Sequence, residues 1–528
     1  MRKNSQPTMS PETLNQLLSS INSESGPKNQ IRIKEFFSLF AKELDFQIRQ
    51  IRFHSHFSVC YLDMSDIRIE VSEETPFFHI HPDTLKNLTI DEIFYHIKNS
   101  LYSKNLQEKI CFIYFDGKNS ILQELIKSSY LDVVLLCKTD ITKLLSADHK
   151  RAVLVKLILE QHGISIISPF SYTRIPIGAM FYGRKEQMNK LIRSNFEINF
   201  AVVGSRRIGK TTLILNLKKY LEKEKMFRPV FLDCYRIHTI SEFITLIVSE
   251  LDVRSSQKVN ISTFHDFMTR MKSKYKKKLI LILDEIDELL EYDKTCNWQL
   301  SRIFHTMASE GVCKIIIAGY RRLYQEINNQ HSPLFKYYEQ IRLKELDDVF
   351  ARQLILEPLD DIGIRIKDRS GFSEKIMVLT SNHPQFIQFF CSQLIDLLNK
   401  ENRNNVTVED VIKVEQQNEY FHFVMDTLLM NTDHFQQLIV YEMAEYENFD
   451  EELVIKKLKE NYQLDLSVTS IQKDCLELEL GNILKRVGGG YKFAYPALPK
   501  ILNNNYNLKF KKQSIAQEIL SEGKYYVK

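Results

Sequence analysis

The stretch FAVVGSRRIGKTTLILNLKKYL, at residues 200–221, decides the fold of this chain. It runs from an apolar strand pattern through a short turn between two glycines into a helical pattern. Gly204, Gly209, Lys210 and Thr211 match the spacing G-x-x-x-x-G-K-[ST], in which backbone N–H groups surround phosphates at the start of a helix. The stretch predicts a nucleoside triphosphate site, with Lys210 on the outer phosphates and the Thr211 hydroxyl on magnesium.

The loop and the first turn of its helix supply the residues expected around the phosphates. In chain order these are Gly204, Ser205, Arg206, Arg207, Ile208, Gly209, Lys210, Thr211 and Thr212.

A second motif lies in LILILDEIDELL, at residues 279–290, where an apolar strand pattern ends in Asp284 and Glu285. A carboxylate in this place holds magnesium through water, and the next carboxylate polarises the attacking water as a general base. Asp287 is either a third polar member of this group or part of the first turn of a helix. Kinases of small metabolites share the loop but do not usually need the acidic pair, so the two motifs favour hydrolysis of ATP.

The composition is that of a soluble globular protein, with 44% hydrophobic and 26% charged residues in a chain of 528. This length predicts two to four domains. The formal net charge of +4 gives no general affinity for polyanions, so any basic surface must be local. The N-terminus lacks a secretory pattern, no apolar run is long enough to cross a bilayer, and the eight cysteines include no C-x-x-C pair. We therefore expect a cytoplasmic protein with reduced thiols.

The chain divides into regions of different pattern. Residues 1–165 predict a small α/β domain, and a Pro- and Gly-containing linker at 166–180 follows it. In residues 181–358, the apolar runs FAVVG, PVFLDC, KLILILDE and CKIIIAG predict a parallel sheet covered on both faces. Residues 359–430 predict a helical lid subdomain, and 431–528 predict a winged helix and a tail. The fold class is α/β: a P-loop NTPase core with a helical subdomain and a C-terminal winged helix, after a small N-terminal α/β domain.

Three segments together resemble a known family: FYGRKEQMNKL at 181–191, GSRRIGKTTL at 204–213 and LDEIDELL at 283–290. They resemble the STAND ATPases (signal-transduction ATPases with numerous domains), most closely the prokaryotic branch called archaeal-type ATPases. That branch is related to the AAA+ ATPases of the origin-recognition type. The resemblance implies an AAA+/STAND-like core that binds ATP and Mg²⁺, hydrolyses ATP slowly, and responds by conformational change or oligomerisation.

The resemblance also assigns roles to residues outside the loop. The segment that lines the adenine side of the pocket in the family is matched by Tyr182, Gly183 and Arg184. His383 and Pro384 match a turn that closes over the nucleotide from the helical subdomain, with Asn382 in place of the usual glycine. Because Asn adopts a left-handed backbone more readily than most residues, we expect the turn to be retained.

Arg321 and Arg322 follow the strand that carries a sensor residue in AAA+ relatives, but position 318 is Ala. We expect a solvated or ion-paired couple here rather than two readers of the γ-phosphate. The sequence does not place the trans-acting arginine finger of the family.

The C-terminal pattern leaves two functions open. In origin-type initiators the third helix of the winged helix reads DNA, and here that helix, SVTSIQKDCLELEL, carries Asp474, Glu477 and Glu479 against Lys473. DNA phosphates would repel it, so the charge favours a module that folds back and keeps the nucleotide bound. The hairpin residues that would touch a DNA backbone are Lys485, Arg486 and Lys492.

The N-terminal residues offer weaker signals. The pairs His54/His56 and His79/His81 could each present two imidazoles on one strand face, but no third metal ligand is evident, and we expect solvent-facing strand histidines. The order of elements also resembles restriction-endonuclease-like domains. Asp66 and Glu70 are the acidic candidates, but the lysine of an E-x-K motif is missing after Glu70, so a sensing or interaction domain is favoured over an active nuclease.

The sequence therefore predicts an ATP-driven switch whose partners are ATP, a second copy of the chain, or a trigger or effector protein. From the resemblance, prokaryotic antiphage defence is the expected process. The alternatives are a DNA-binding AAA+ initiator or transposition-type regulator, and an ATP-gated nuclease. The charge pattern does not favour DNA as a partner, and no membrane contact is expected.

Overall fold

The computed structural model describes residues 11–23, 27–64, 74–81, 84, 89–102, 110–115, 132–162, 168–171, 175, 178–252, 259–430, 432–464, 466–505 and 507–522.

The N-terminal region contains a mixed five-stranded sheet, called here the N-terminal sheet, in the order β1-β2-β3-β4-β5. Its strands are β1 (Gln47–Phe53), β2 (Phe57–Asp63), β3 (Thr75–Ile80), β4 (Ile110–Tyr114) and β5 (Asp132–Leu136). The first three strands pair antiparallel, and β3, β4 and β5 pair parallel. The helices of this region are α1 (Pro11–Ser23), α2 (Pro27–Leu44), α3 (Ile90–Tyr102), α4 (Lys138–Ser146) and α5 (Lys150–Gln161).

Aromatic side chains pack one face of this sheet. The pattern EFFSLF places Phe36, Phe37 and Phe40 on the buried face of α2, and their ring centroids lie 5.8, 5.4 and 4.7 Å from that of Phe77 on β3. A second apolar cluster, which includes Ile93 and other residues of α3, covers the opposite face. The middle strands are therefore buried on both sides.

This burial corrects the expectation of solvent-facing strand histidines. His79 lies on β3 and is 0% exposed, because apolar clusters cover both faces of the sheet. His54 and His56 lie in the connection between β1 and β2 rather than in a strand. The candidate nuclease residues Asp66 and Glu70 lie outside the described residues.

The second five-stranded sheet, called here the central sheet, is parallel throughout and has the order β10-β6-β9-β8-β7. Its strands are β6 (Asn199–Val203), β7 (Phe227–Asp233), β8 (Lys278–Asp284), β9 (Cys313–Gly319) and β10 (Tyr338–Arg342). Apolar clusters lie on both faces, as the near-continuous apolar runs predicted. The helices around this sheet are α6 (Lys185–Arg193), α7 (Lys210–Lys223), α8 (Ile240–Leu251), α9 (Ile261–Tyr275), α10 (Asp287–Thr295), α11 (Gln299–Ser309) and α12 (Arg321–Asn328).

A helical segment follows the central sheet. It consists of α13 (Asp348–Asp361), α14 (Arg369–Thr380), α15 (Pro384–Lys400), α16 (Val408–Glu415) and α17 (Asn418–Leu429), with the short parallel strands β11 (Arg365–Ile366) and β12 (Asn405–Val406). Helix α13 runs through Pro358, so the predicted boundary at residue 359 falls inside a helix.

The C-terminal segment begins with three helices and a hairpin in the places that the sequence indicated. They are α18 (His434–Met443), α19 (Glu451–Tyr462), α20 (Val468–Leu480), β13 (Leu484–Val487) and β14 (Gly490–Phe493), and α21 (Leu498–Asn505) and α22 (Leu508–Glu522) follow. Gly488 and Gly489 have φ angles of 58° and 94°, which fit the tight hairpin turn. One apolar cluster joins this segment to the helical segment and to the N-terminal region.

All eight cysteines are free thiols, and Cys137 and Cys296 are the two that are not fully buried. Among the helices of the described ranges, none has both the length and the apolar character that crossing a membrane requires.

Candidate nucleotide-binding site

The loop between β6 and α7 has the geometry of a phosphate-binding turn. Gly209 ends the loop with a φ angle of 103°, which side chains rarely adopt, and α7 begins at the next residue. A Cβ on Gly204 would lie 2.9 Å from the backbone oxygen of Leu343, so only glycine allows this close approach. The two glycines therefore shape a turn whose N–H groups lie at the positive end of a 14-residue helix.

Lys210 is buried within this loop, with only 4% of its surface exposed. Its ammonium group donates hydrogen bonds to the backbone oxygens of Gly204 and Ser205, each at 3.1 Å. Burial lowers the pKa of Lys210, while the carboxylates of Glu285 and Asp284 oppose that shift. A buried cation of this kind is an attractive partner for phosphate oxygens.

Asp284 and Glu285 lie at the carboxyl end of β8, on the same side of the sheet as the loop. Burial raises the pKa of Asp284, and a hydrogen bond with the Thr211 hydroxyl opposes the shift. Burial also raises the pKa of Glu285, and the charge of Lys210 opposes it. Glu285 has a φ angle of 49°, an uncommon backbone for this residue type. The structure thus brings together the predicted magnesium and general-base residues.

Asp287 makes contacts of a different kind from those of Asp284 and Glu285. Its carboxylate accepts hydrogen bonds from the backbone N–H groups of Tyr320, Arg322 and Leu323, at 2.7, 2.9 and 3.2 Å. Tyr320 immediately precedes α12, and Arg322 and Leu323 are its second and third residues, so Asp287 caps the N-terminus of that helix. Of the two roles left open for this residue, the contacts fit a structural one.

Tyr182, Gly183 and Arg184, predicted to line the adenine side of the pocket, lie in the turn that leads into α6. The Tyr182 hydroxyl donates to the Glu357 carboxylate at 3.2 Å, and a Cβ on Gly183 would lie 2.8 Å from a methyl carbon of Leu346. Arg184 is buried and donates to the backbone oxygens of Lys344 and Ile208. Its guanidinium thus binds backbone behind the loop.

The turn before α15 has the predicted backbone. Asn382 adopts a φ angle of 56°, so the expectation that it would replace glycine in a left-handed turn is confirmed. Pro384 is the first residue of α15, and His383 before it is 2% exposed. Burial lowers the pKa of His383 to about 3, so this imidazole is neutral near pH 7.

Arg207 connects the loop to the helical segment. Its guanidinium donates to the Thr427 hydroxyl at 2.9 Å and lies 5.3 Å from the ring centroid of Phe423, both on α17. The sequence placed Arg207 in the loop, but no pattern indicated its partners, which lie more than 200 positions away.

A cavity of about 730 Å³ opens at this end of the central sheet. The predicted residues that line it are Tyr182, Arg184, Arg206, Arg207, Ile208, Gly209, Lys210, Thr211, Thr212, Glu285 and Pro384. Gly204 and Ser205 line a second cavity of about 700 Å³ on the other side of the loop, and neither cavity is lined by Gly183 or Asp284.

Sequence reasoning missed several residues of the first cavity. They are Ser171, Ile175, Met180, Phe181, Asp233, Tyr235, Leu346, Leu354, Gln385, Gln388, Phe423 and Asp426. Gln388 could have been found, since it lies one helical turn after Pro384, whereas Phe423 and the residues before Met180 carry no local signal.

The acidic helix α20 lies against the central sheet. Glu477 pairs with Arg321 at 3.3 Å, and Glu479 pairs with Arg342 at 3.8 Å. A Cβ on Gly481 would lie 2.9 Å from the Tyr320 hydroxyl, so the end of α20 approaches that side chain closely. Arg322 pairs with Glu291, and the expectation that Arg321 and Arg322 are ion-paired is confirmed.

Residues 199–326, the stretch from β6 into α12, match the model of the AAA domain family, which supports a P-loop ATPase of the AAA type. Similar solved structures include a Walker-type ATPase of Pyrococcus abyssi, with 17% identity over 61% of this chain and 96% of that chain, at a TM-score of 0.48. The ORC2 protein of Aeropyrum pernix, in ADPNP–ADP complexes, has 13% identity over 64% of this chain and 95% of that chain, at 0.47. The Thermotoga maritima RuvB Holliday junction branch migration motor has 14% identity over 58% and 90%, at 0.32. At such low scores these similarities do not assign a function, and no curated protein matches the chain in sequence.

Proposed function

We propose that the chain binds MgATP in the cavity of about 730 Å³ and hydrolyses it as a molecular switch of the STAND/AAA+ type. The donors of the loop suit a triphosphate, since Lys210 and the N-terminus of α7 concentrate positive charge there. The hydroxyl of Thr211 and the carboxylate of Asp284 are the hard oxygen groups that Mg²⁺ prefers. Tyr182, Leu346 and Leu354 offer an apolar wall for the adenine.

Hydrolysis needs a base beside the outer phosphate. Glu285 lines the cavity next to Lys210, and its raised pKa brings it closer to the range in which a carboxylate accepts a proton from water. Mg²⁺ would neutralise charge on the phosphate oxygens. We therefore assign the role of general base to Glu285.

The main observation in favour of a switch is that residues from separate parts of the chain line the cavity. Ser171, Ile175 and Met180 come from the segment after the N-terminal region, and Phe423 and Asp426 come from α17. A nucleotide in this place would contact three parts of the chain at once. Binding and hydrolysis would therefore change how these parts are held together.

A contact path leads from the loop to the C-terminal segment. The Phe423 ring beside Arg207 lies 6.1 Å from Phe386, and Phe386 lies 5.2 Å from Tyr495, just after the hairpin. On the other side, Lys210 lies 5.8 Å from the Tyr320 ring, which Gly481 approaches. We propose that the C-terminal segment is a winged helix that holds the resting state and is released by ATP.

Particle size and ATPase rate, measured by light scattering and phosphate release with and without ATP, Mg²⁺ and DNA, test the proposal. We expect ATP-dependent growth of the particle and slow hydrolysis without DNA. A protein that neither binds nor hydrolyses ATP would refute the proposal. A strict DNA requirement that neutralisation of Lys485, Arg486 and Lys492 abolishes would replace the switch with the initiator.

The role of α20 has its own test. Glu477→Gln weakens the pair with Arg321, so we expect faster release of labelled ADP and a larger particle at lower ATP concentration. Glu460→Gln on α19 is the matched control, because its partners Lys456 and Lys457 are on its own helix. Equal ADP release rates in the two variants would exclude the resting-state role.

The resemblance seen in the sequence extends the proposal to antiphage defence in a prokaryotic host. Phage plaque counts on cells that express the wild type or Lys210→Ala measure this. Equal counts for both would remove defence from the proposal while leaving the ATPase intact.

A further inference from the structure

Arg206 occupies the third position of the loop and lines the same cavity as Lys210, Thr211 and Glu285. The side chain is half-buried, so it lies neither in the core nor fully in solvent. Under the proposed function, the outer phosphate of a triphosphate would lie at the part of the cavity lined by Lys210 and Glu285, which Arg206 also lines. Arg184 and Arg207 line the same cavity, so Arg206 differs from them in its side-chain contacts rather than in its placement.

The side chains of the other arginines near the site bind other groups of the protein. Arg207 binds Thr427 and Phe423, Arg184 binds backbone oxygens, and Arg321 and Arg322 pair with Glu477 and Glu291. The backbone of Arg206 shares a hydrogen bond with His383, but its side chain has no hydrogen bond or ion pair with any residue that the structure describes. A half-buried guanidinium without a partner in a polar cavity is suited to an anionic ligand.

The charge of Arg206 acts on the groups that face the cavity. It lowers the pKa of Lys210 and of Glu285, in each case as a smaller effect than burial, and it also lowers that of Tyr320. Arg206 is therefore within electrostatic reach of both the phosphate-binding lysine and the general base. The site of charge development in hydrolysis lies between those two groups.

We propose that Arg206 contacts the γ-phosphate in cis and stabilises the charge that develops during hydrolysis, so that catalysis needs no arginine from a second copy of the chain. The inference rests on the proposed function. Water forms a bond to the γ-phosphorus, the bond from that phosphorus to the β–γ bridging oxygen breaks, and ADP keeps the electron pair. Glu285 accepts the proton of the water, and Arg206 holds the equatorial oxygens.

The first experiment compares Arg206→Ala and Arg206→Lys with the wild type in single-turnover hydrolysis and in binding of fluorescent ADP. We expect Arg206→Ala to lose at least about 100-fold in hydrolysis, since arginines in this role contribute about 10³–10⁵-fold, and to bind ADP within about threefold of the wild type. Lysine should restore part of the rate, because it supplies the charge without the planar fork.

A second readout does not depend on turnover. ADP with aluminium fluoride imitates the charged transition state, and the wild type should retain labelled ADP in its presence through gel filtration. The Arg206→Ala variant should lose the labelled ADP during gel filtration. Arg207→Ala should change ADP dissociation, because it removes the contact with α17, yet still retain the trapped complex. Arg322→Ala, an exposed arginine near the same sheet end, should match the wild type within about twofold.

Mixing separates cis from trans action. Lys210→Ala carries an intact Arg206 but lacks the phosphate-binding lysine, and Arg206→Ala has the opposite defect. If Arg206 acts in cis, the hydrolysis rate of a mixture of the two variants equals the sum of the rates measured for each variant alone. The rate per molecule of the wild type is then independent of protein concentration. Recovery of activity in the mixture would overturn the inference.

The outcomes also separate this inference from the proposed function. A wild type without ATP binding or hydrolysis removes the proposed function itself. A wild type that hydrolyses ATP, with an Arg206→Ala variant that hydrolyses and traps equally well, removes only the role of Arg206.

Discussion

The two five-stranded sheets of this chain differ in what their strand ends carry. The central sheet is parallel throughout, and the N-terminal sheet combines two antiparallel with two parallel pairings. Both have strands buried on two faces. At the carboxyl ends of the central sheet lie a glycine loop, Lys210, Asp284 and Glu285, grouped around one cavity or directly behind it.

The parallel strands of the N-terminal sheet end differently. His81, Phe115 and Cys137 follow β3, β4 and β5, and the described part of the chain contains no group of three His, Cys, Asp or Glu residues that could hold a metal. Within the described residues, similar burial thus goes with a cluster of charged side chains at the strand ends of the central sheet, and with His81, Phe115 and Cys137 at the parallel strand ends of the N-terminal sheet. The residues at the strand ends, rather than the sheet architecture, therefore determine where a functional site can form.

The largest effect is expected from Lys210→Ala, because it removes the buried ammonium group from the phosphate loop. We expect at least a ~100-fold loss of affinity for labelled ATP, measured by fluorescence titration. Lys219 is the matched control, since it lies on the same helix but pairs with Asp63 of the N-terminal sheet at 3.7 Å. Lys219→Ala should leave the affinity for ATP unchanged. An equal loss of affinity in both variants would show that ATP binding does not depend specifically on the lysine of the loop.

Glu285→Gln should separate binding from hydrolysis. We expect a fall of about 10²–10³-fold in single-turnover rate with little change in ATP affinity, because the amide cannot accept the proton of water. Burial raises the pKa of Glu285 above its ordinary value of 4.5, so the wild-type rate should fall at a correspondingly higher pH as Glu285 becomes protonated. A variant with the wild-type rate would show that another group is the base.

The sequence predicted the strands of the central sheet and the placement of the candidate site residues at their ends, for a physical reason. Phosphate binding needs glycines, a lysine and a hydroxyl at fixed spacing, and the acids must follow a buried strand, so local sequence contains the site. Contacts of long range were not predictable in this way. Arg207 meets Thr427, and Glu477 meets Arg321, only because the helical and C-terminal segments fold back onto the sheet.

The N-terminal sheet shows the opposite limit. Alternation within FFHIHP indicated a half-exposed strand, and the structure buries His79 because apolar clusters lie on both sides. The alternation of polar and apolar residues therefore gave a wrong prediction of exposure for His79, because tertiary packing covers both faces of the sheet. Chain periodicity found the strands β4 and β5 but gave no information on what covers them.

A matched pair of core substitutions tests whether the two sheets are energetically separate. Phe77→Ala removes a fully buried ring that contacts three aromatic side chains of α2, and we expect a loss of about 3–5 kcal/mol in unfolding free energy. Ile282→Ala in β8 should cost about 2–5 kcal/mol. Denaturant unfolding with an ATP-affinity readout distinguishes them. Only Ile282→Ala should weaken ATP binding, because β8 ends in Asp284; loss of binding in both would show that the sheets fold as one unit.

A smaller effect is expected from His79. Burial lowers its pKa to about 3, whereas the unfolded chain has an ordinary value near 6.5. The unfolded state therefore binds the proton first as the pH falls, and stability decreases below about pH 6.5. His79→Phe should remove about 2 kcal/mol of the stability lost between pH 7 and pH 5, measured by unfolding at both values. An unchanged pH dependence would mean that His79 does not titrate as its burial indicates.

The smallest effect on stability is expected from the addition or removal of Zn²⁺. The His79 ring stacks on Tyr114 at 5.6 Å between centroids, and His81 Nε2 is 2.9 Å from the Ser58 hydroxyl. To bind zinc with both imidazoles, the chain would have to give up these contacts and leave a charge beside a buried strand. We therefore expect neither excess Zn²⁺ nor a chelator to shift the thermal midpoint of the wild type or of His79→Phe. A zinc-dependent rise in the wild type alone would give the N-terminal sheet a site of its own, and the contrast with the central sheet would no longer hold.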